Sequence, residues 1–207
     1  MAVYHGPRCR QCRREGIKLM LKGERCKTEK CAVERRPFPP GMRVSKRRRA
    51  STEYNTQLRE KQKIRRIYGI LEKQFRLYFQ AAAKTTGVTG ENLLKILEMR
   101  LDNIVYRLGF APSRSSARQL VLHNHFVVNG KKVNIPSYKL KEGDTIQVKE
   151  KSNNLELIHS SLKAMRDTPE WLTVDKVKLV GQVIRVPDRA SIPENVQEQL
   201  VVELYSR

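Results

Sequence analysis

All four cysteines of the chain lie in one basic stretch near the N-terminus, as two close pairs. Cys9 and Cys12 form a CxxC pair, and Cys26 and Cys31 form a C-x4-C pair further along. Four thiolates in two pairs can complete a tetrahedral shell around one metal ion, and such a closed shell leaves no open position for catalysis. The spacing therefore predicts a structural metal site held by all four cysteines.

The sequence predicts one set of ligands, but two kinds of metal group fit them. Zinc is the expected ion, and an iron–sulfur cluster with the same four ligands is the alternative. The other interpretation is four unrelated reduced thiols. Basic neighbours such as Arg8, Arg10 and Lys27 favour the thiolate form. Because the segment lacks apolar residues for a core of its own, we expect the metal to supply its folding free energy.

The charge of the chain points to a polyanionic partner. It has 42 Lys and Arg against 21 Asp and Glu, a formal net charge of +21. Residues 1–49 contribute +12 of this, whereas residues 151–207 are neutral. Nucleic acid is the first candidate partner, an anionic membrane surface the second, and a merely solvated basic surface the third. No apolar run is long enough to span a bilayer and residues 1–6 do not resemble a signal peptide, so a cytoplasmic protein is expected.

Apolar periodicity predicts helices first and strands later in the chain. Residues 52–86 form a helical pattern with a joint at Gly69, and a third helix begins near Thr89 and continues through Leu108. A fourth helix begins at Pro112-Ser113. The remaining expected elements are a hairpin around Asn129-Gly130, a strand at residues 145–148, a helix at 154–166, strands between 179 and 186, and an amphipathic segment ending at Tyr205.

Clusters of basic residues are the candidate RNA-binding positions, because Arg grips phosphate oxygens with a planar fork and Lys supplies point charge. Each alone could be a solvated charge. For His123 and His125, a contact with a turn or with the backbone is a simpler interpretation than binding a metal ion. The predicted RNA-binding residues are Arg47, Arg48, Arg49, Arg59, Lys61, Lys63, Arg65, Arg66, Arg100, Arg107, Arg114, Arg118, His123, His125, Asn129, Lys131 and Lys132.

Residues 100–144 closely resemble the αL-type RNA-binding domain named after ribosomal protein four of the small subunit, with RLDN, RLGFA, ARQLV, VNG and PSY as they stand here. That domain also occurs in pseudouridine synthases, tyrosyl-tRNA synthetases and heat-shock proteins that act on stalled ribosomes. The family's other segments are matched by QLREKQK at 57–63, GVTG at 87–90, PEWL at 169–172 and EQLVVELYSR at 198–207. The cysteines resemble the metal-binding variant of the bacterial family.

The resemblance implies an α+β protein that binds small-subunit ribosomal RNA early in assembly of the body domain. It also implies a position near the messenger RNA entry channel, contact with ribosomal protein five of the same subunit, and an influence on translational accuracy; some relatives repress their own operon. The expected divisions are a metal-knuckle segment (1–45), a mostly helical rRNA-binding domain (46–97), the αL-type module with its β-hairpin (98–160), and a C-terminal segment packing back on the helical domain (161–207).

The same residues could also belong to a protein of three other classes: an enzyme, a DNA-binding zinc finger or a ribosome rescue factor. An enzyme is not expected, because the chain has no Gly-rich phosphate loop or nucleophile–base set, and residues 151–207 are too few for a catalytic domain. A DNA-binding zinc finger would read bases with one helix, whereas the basic residues here are spread over several elements. A ribosome rescue factor with the same module would exchange on and off ribosomes, and a structural protein would stay bound in high salt.

Overall fold

The computed structural model describes residues 3–41, 52–164 and 168–206. The chain divides into two compact units, a helical unit (Met1–Leu93 and Glu194–Arg207) and a sheet unit (Leu94–Pro193). This division differs from the predicted C-terminal segment 161–207. Residues up to 193 belong to the sheet unit because two of its strands lie there, and only the residues from 194 onward join the helical unit.

Within the described residues, only helices precede the first strand at Phe126, and strands and helices are mixed after it. The α-helices are α1 (Arg8–Glu15), α2 (Ala32–Arg35), α3 (Glu53–Ile67), α4 (Glu72–Ala83), α5 (Thr89–Glu98), α6 (Leu101–Arg107), α7 (Arg114–Leu122), α8 (Glu156–Ala164) and α9 (Glu198–Tyr205). The strands are β1 (Phe126–Val128), β2 (Lys131–Lys132), β3 (Thr145–Val148), β4 (Leu172–Asp175) and β5 (Val180–Val183). No helix among the described residues is long and apolar enough to cross a membrane.

The helical unit is centred on α3 and α4, and the predicted joint between them is confirmed. Thr52 caps α3 by accepting a hydrogen bond from the Asn55 amide (3.3 Å), and Gly69 turns the chain with a φ of 65°, which favours glycine. Ile64 of α3 and Phe75 of α4 are fully buried. The α9 helix packs along α3, so the core of this unit is closed by residues far apart in the sequence.

Lys61, one of the predicted RNA-binding cations, lies on the buried side of α3. Its side chain is only 11% exposed, and its Nζ donates to Glu72 Oε1 at 2.7 Å and lies 5.6 Å from the ring centre of Tyr205. This burial arises because α9 covers that side of α3, and an RNA contact of Lys61 stays a prediction. A cation–carboxylate pair over an aromatic ring compensates the buried charge.

The single helix expected from Thr89 through Leu108 is two helices, α5 and α6. Its apolar side chains, such as Leu97 and Ile104, are buried. The helix breaks at Arg100, whose backbone is extended and pairs with Lys139 as an isolated β-bridge. Asn103 stabilises the break, because its side-chain Nδ2 donates to the Glu98 carbonyl at 3.0 Å. A strand-like contact with a later segment thus interrupts a continuous helical pattern.

The sheet unit contains one antiparallel sheet in the order β2-β1-β3-β5-β4. The predicted hairpin is confirmed: Asn129 and Gly130 have φ values of 49° and 74°, as a type I′ turn requires, and join β1 to β2. The buried face of the sheet packs on α6, α7 and α8. Gly181 of β5 lets the sheet approach the end of α6 closely, because a Cβ there would overlap the Leu108 side chain.

Candidate nucleic-acid interface

The cysteine segment is built from short helices: Cys9 and Cys12 lie in α1, and Cys31 directly precedes α2. Cys12, Cys26 and Cys31 are buried and Cys9 is partly exposed. Burial raises the pKa of Cys12, the Leu19 backbone amide lowers it, and the charges of the other three cysteines raise it further. The Lys22 amide donates to Cys26 Sγ at 3.4 Å. Backbone amides directed at two of the sulfurs suit thiolate ligands.

The described residues contain no group of three or more His, Cys, Asp or Glu side chains that are spaced to hold a metal ion. The metal site at the four cysteines therefore stays a prediction. The two helices of this segment, α1 and α2, were not expected from its sequence. Cys12 is the one buried residue of these two helices. Neither helix therefore has an apolar stripe from which it could have been predicted.

Glu15 anchors the cysteine segment to α3. Its side chain is 4% exposed and accepts from Arg59 Nη1 at 3.2 Å and from Arg66 Nη1. Burial raises the pKa of Glu15 by more than the Arg59 and Arg66 charges lower it. Burial also lowers the pKa of Arg66 by more than Glu15 raises it. Two predicted RNA-binding arginines are thus oriented by one buried carboxylate.

The other predicted cations of α3 also have carboxylate neighbours in the helical unit. Arg65 Nη1 donates to Glu72 Oε2 at 2.8 Å, and Lys63 Nζ donates to Glu60 Oε1 at 3.2 Å. Both cations keep part of their side chain exposed. The predicted residues Arg47, Arg48 and Arg49 lie outside the described residues. The contacts of all these cations with RNA stay predictions.

The four arginines of the sheet unit that were predicted to bind RNA form a nearly buried ion network around two carboxylates. Arg100 is bidentate to Asp102, at 3.0 and 2.6 Å, and Arg118 Nη1 lies 3.8 Å from the same carboxylate. Arg107 is bidentate to Glu98, at 3.0 and 2.8 Å. Since four guanidinium groups share these two carboxylates, this cluster of six residues carries a formal surplus of two positive charges.

Arg114 is held from three sides in the same network. Its Nε donates to Asn103 Oδ1 at 2.8 Å, its Nη2 lies 4.0 Å from Glu98, and its guanidinium lies 4.7 Å from the ring centre of Tyr106. Its side chain is 11% exposed. The arginines of this network are therefore fixed in position before any ligand arrives, and only small parts of them reach the surface.

The hairpin presents the most accessible cations among the predicted residues of the sheet unit. Lys131 and Lys132 are exposed on the edge strand β2. Asn129, which was predicted to contact RNA, is used internally: its Nδ2 donates to Asp144 Oδ1 at 2.8 Å and its Oδ1 accepts from the Thr145 amide at 2.9 Å. An RNA contact of Asn129 stays a prediction, and its side chain serves the hairpin in the structure.

The two histidines lie at the corner between α7 and β1, with ring centres 6.1 Å apart. His123 is exposed, and His125 Nδ1 is 2.8 Å from the Ser152 hydroxyl. Burial lowers the pKa of His125, and the neighbouring His123 and Lys149 lower it further. The sequence favoured a contact with a turn or the backbone over metal binding for both residues. His125 makes its polar contact with a serine side chain, and RNA contacts of both histidines stay predictions.

The sequence did not single out the acidic and amide groups that organise the network. Glu98, Asp102 and Asn103 are nearly fully buried, and each contacts at least one arginine of the network. A signal was present, because two acidic residues and an amide lie close together at the start of an otherwise basic module. Buried carboxylates are costly unless they are paired, so such residues indicate an ion network.

Two family models together match residues 3–146 of the chain. The model described as ribosomal protein S4/S9 N-terminal domain matches residues 3–98, and the model described as S4 domain matches residues 99–146. The boundary between the two matches falls directly after α5. The arginine network and the hairpin thus lie within the second match, apart from Glu98.

Proteins similar to this chain over its whole length come from several bacteria. A small ribosomal subunit protein uS4 of Geobacter metallireducens is 58% identical over 209 residues, covering 100% of both chains. Proteins of the same name from Heliobacterium modesticaldum and Thermus thermophilus are 59% and 57% identical, again with 100% of both chains covered.

Proposed function

The chain belongs to the uS4 family of small ribosomal subunit proteins, and from that premise we propose that it is a structural component of the small subunit that binds ribosomal RNA directly. The observation that carries this proposal is the likeness to uS4 proteins along the entire chain. Membership of this family also agrees with the expectation that the chain is not an enzyme. It acts by binding and by fixing the shape of an RNA.

The binding mechanism follows from the charges and their fixed positions. The arginine network of the sheet unit is oriented by Glu98 and Asp102, so little side-chain freedom is lost when a phosphate approaches. Lys131 and Lys132 supply accessible point charges on the hairpin of the same unit. Contacts at several separated positions suit a folded RNA with irregular backbone better than a regular duplex.

Finer roles belong to the same proposal. The protein binds early in assembly of the body of the subunit, contacts ribosomal protein five of the small subunit, and lies near the messenger RNA entry channel, where it influences translational accuracy. These roles are supported by the family resemblance. The surplus of positive charge supports the RNA contacts among them.

A structural zinc ion at Cys9, Cys12, Cys26 and Cys31 is also part of the proposal. The residues fit such an ion in two respects: three of the four cysteines are buried, and the Lys22 backbone amide donates to Cys26 Sγ. Bound zinc would supply folding free energy to a segment with almost no apolar core. The cysteines hold the ion, and Glu15 joins the segment to α3.

A salt-resolved binding assay tests the RNA proposal. The metal-loaded protein is titrated with small-subunit ribosomal RNA, transfer RNA and duplex DNA of matched charge. We expect tight binding to the ribosomal RNA alone, persisting at high salt. Equal binding to all three nucleic acids that collapses with salt would contradict the proposal and leave a general polyanion binder.

The metal proposal is tested with the double variant Cys9→Ser, Cys12→Ser. We expect one equivalent of zinc in the wild-type protein and loss of that zinc in the variant, because two of four ligands are gone. Amide signals of residues 3–41 should lose dispersion, whereas those of the sheet unit should stay native. Unchanged metal content in the variant, or a wild-type protein purified without metal, would overturn the proposal.

A further inference from the structure

The loop between β2 and β3 carries two exposed apolar side chains that neither the hairpin nor the arginine network uses. Ile135 and Tyr138 are 51% and 40% exposed. They occupy the first and fourth positions of one β-turn, in which the Tyr138 amide donates to the Ile135 carbonyl at 3.0 Å. Pro136 occupies the second position, where its fixed φ favours the turn. The two side chains therefore flank a single tight turn.

This turn is held firmly within the sheet unit. The amides of Leu101 and Asp102, at the start of α6, donate to the carbonyls of Tyr138 (2.9 Å) and Pro136 (3.1 Å). Pro136 and Leu140 are buried on either side of Tyr138. The Tyr138 ring is thus exposed to solvent while the backbone that carries it is held in place by hydrogen bonds. Ordering of the loop would cost little when a ligand binds.

The surroundings of the turn are strongly basic. Residues 103–141 contain no Asp or Glu. Four exposed lysines lie on this loop and the adjoining strand: Lys131, Lys132, Lys139 and Lys141. Asp144, which follows the loop, accepts hydrogen bonds from Asn129 Nδ2 and from the Lys141 amide. An anionic ligand with an apolar, flat part fits such a patch.

We propose that Ile135 and Tyr138 form a stacking platform for an unpaired RNA base, whose neighbouring phosphates contact the lysines of the loop. The proposal rests on the RNA-binding function proposed above and names the kind of nucleotide that this surface takes. Isolated exposed apolar residues are common and need no explanation. Here two of them share one rigid turn within an acid-free basic stretch, and unpaired bases stack on such aromatic side chains.

The experiment compares Tyr138→Ala and Tyr138→Phe with the wild-type protein, all as full chains, in titrations with small-subunit ribosomal RNA over a range of salt concentrations. Tyr138→Ala should weaken binding by about 5- to 100-fold, the effect of losing one stacked base. Tyr138→Phe keeps the ring and should bind as the wild type does. Leu157→Ala, at a similarly exposed apolar position on α8, is the matched control and should also bind normally.

The salt dependence separates stacking from phosphate binding. Because the Tyr138 ring carries no charge, Tyr138→Ala should lower the affinity at every salt concentration without changing the slope. Lys139→Gln should lower the slope by about 0.7–0.9, as expected when one fewer phosphate is neutralised. Chemical probing adds a direct readout: an unpaired base protected by the wild-type and Phe variants should regain reactivity with the Ala variant.

The outcomes distinguish this inference from the function on which it rests. A wild-type protein that does not select ribosomal RNA overturns the proposed function. A wild-type protein that does, with Tyr138→Ala binding equally well and protecting the same bases, overturns the stacking platform alone. If Tyr138→Ala binds naked RNA normally but incorporates poorly into subunits with other proteins present, the surface binds a protein, which also overturns the proposal.

Discussion

Glu98 and Asp102 are acidic residues that hold the arginines of a positively charged network in place. Each is almost fully buried and fixes two arginines of the sheet unit. Without these carboxylates four guanidinium groups would repel one another in a poorly solvated region. The two residues are therefore positioning groups, and their removal should damage the module although it increases the net positive charge.

Replacement of Glu98 by alanine should lower the free energy of unfolding of the sheet unit by about 3–5 kcal/mol, because it leaves buried arginines without their carboxylate. Urea unfolding followed by the fluorescence of Trp171, the single tryptophan and a buried residue of this unit, measures the change. Glu170→Ala removes a carboxylate that is 88% exposed and paired with Arg185 at 3.4 Å, and should change little. A decrease below about 1 kcal/mol for Glu98→Ala would show that the network is not a stabilising unit.

At the scale of residues, the sequence predicted a residue's conformation where that depends on its neighbours in the chain. It missed contacts between residues that are far apart in the sequence. The Asn129-Gly130 turn is confirmed because positive φ values are a local requirement. The burial of Lys61 was missed because its ring partner, Tyr205, lies in α9. The internal roles of Arg100 and Arg107 were missed because a guanidinium suits a carboxylate and a phosphate equally well.

At the scale of elements, α9 is attached to the helical unit by a polar cluster beside an aromatic contact. The Tyr205 hydroxyl donates to Glu72 Oε1 at 3.0 Å, and its ring centre lies 4.5 Å from that of Phe79. Gln57 Nε2 donates to Glu203 Oε2 at 3.1 Å. Burial raises the pKa of Tyr205 and the charge of Glu72 raises it further, so the phenol stays protonated and remains a donor.

The docking of α9 should weaken in acid. Burial raises the pKa of Glu72, but hydrogen bonds from Lys61 and Tyr205 and the charges of Lys61 and Arg65 lower it more, so the pKa lies below its usual range. A depressed pKa stabilises the fold above the pKa of the unfolded chain, about 4.3, and this contribution is lost as the pH falls through the folded value. Methyl signals of Val201 in α9, followed by nuclear magnetic resonance from pH 6 to about 3, should report this release.

The variant Glu72→Gln is the control for that titration. An amide cannot titrate, so the acid step of the Val201 signals should become smaller, and α9 should already be less firmly docked at neutral pH. If the wild type and the variant show the same acid midpoint and amplitude, another carboxylate such as Glu203 or Glu60 controls the docking of α9.

The elements themselves were predicted best where the pattern is regular over many residues. Periodicity found α3 and α4, the start signal at Pro112-Ser113 found α7, and turn signals beside apolar runs found β1 and β3. The break between α5 and α6 was missed because it depends on the bridge from Arg100 to Lys139. The edge strand β4, which pairs only with β5, was not predicted.

At the scale of the whole molecule, charge is graded along the chain from strongly basic to neutral. The variant Arg47→Gln, Arg48→Gln, Arg49→Gln should flatten the salt dependence of RNA binding, by about 0.7–0.9 in slope for each phosphate that is no longer neutralised. The control Arg185→Gln alters a half-exposed cation in the neutral part of the chain and should leave the slope unchanged. An unchanged slope in the triple variant would mean that this basic run does not bind phosphates.

The helical unit is built from two stretches of sequence that are separated by the whole sheet unit. A ribosome synthesises Gln57 and Lys61 long before it synthesises Glu203 and Tyr205, with which they interact. During translation the sheet unit, whose residues are continuous, can therefore fold while the partner face of α3 is still uncovered. The order of synthesis therefore fixes the order of closure: α9 can cover α3 only after every residue of the sheet unit has been synthesised.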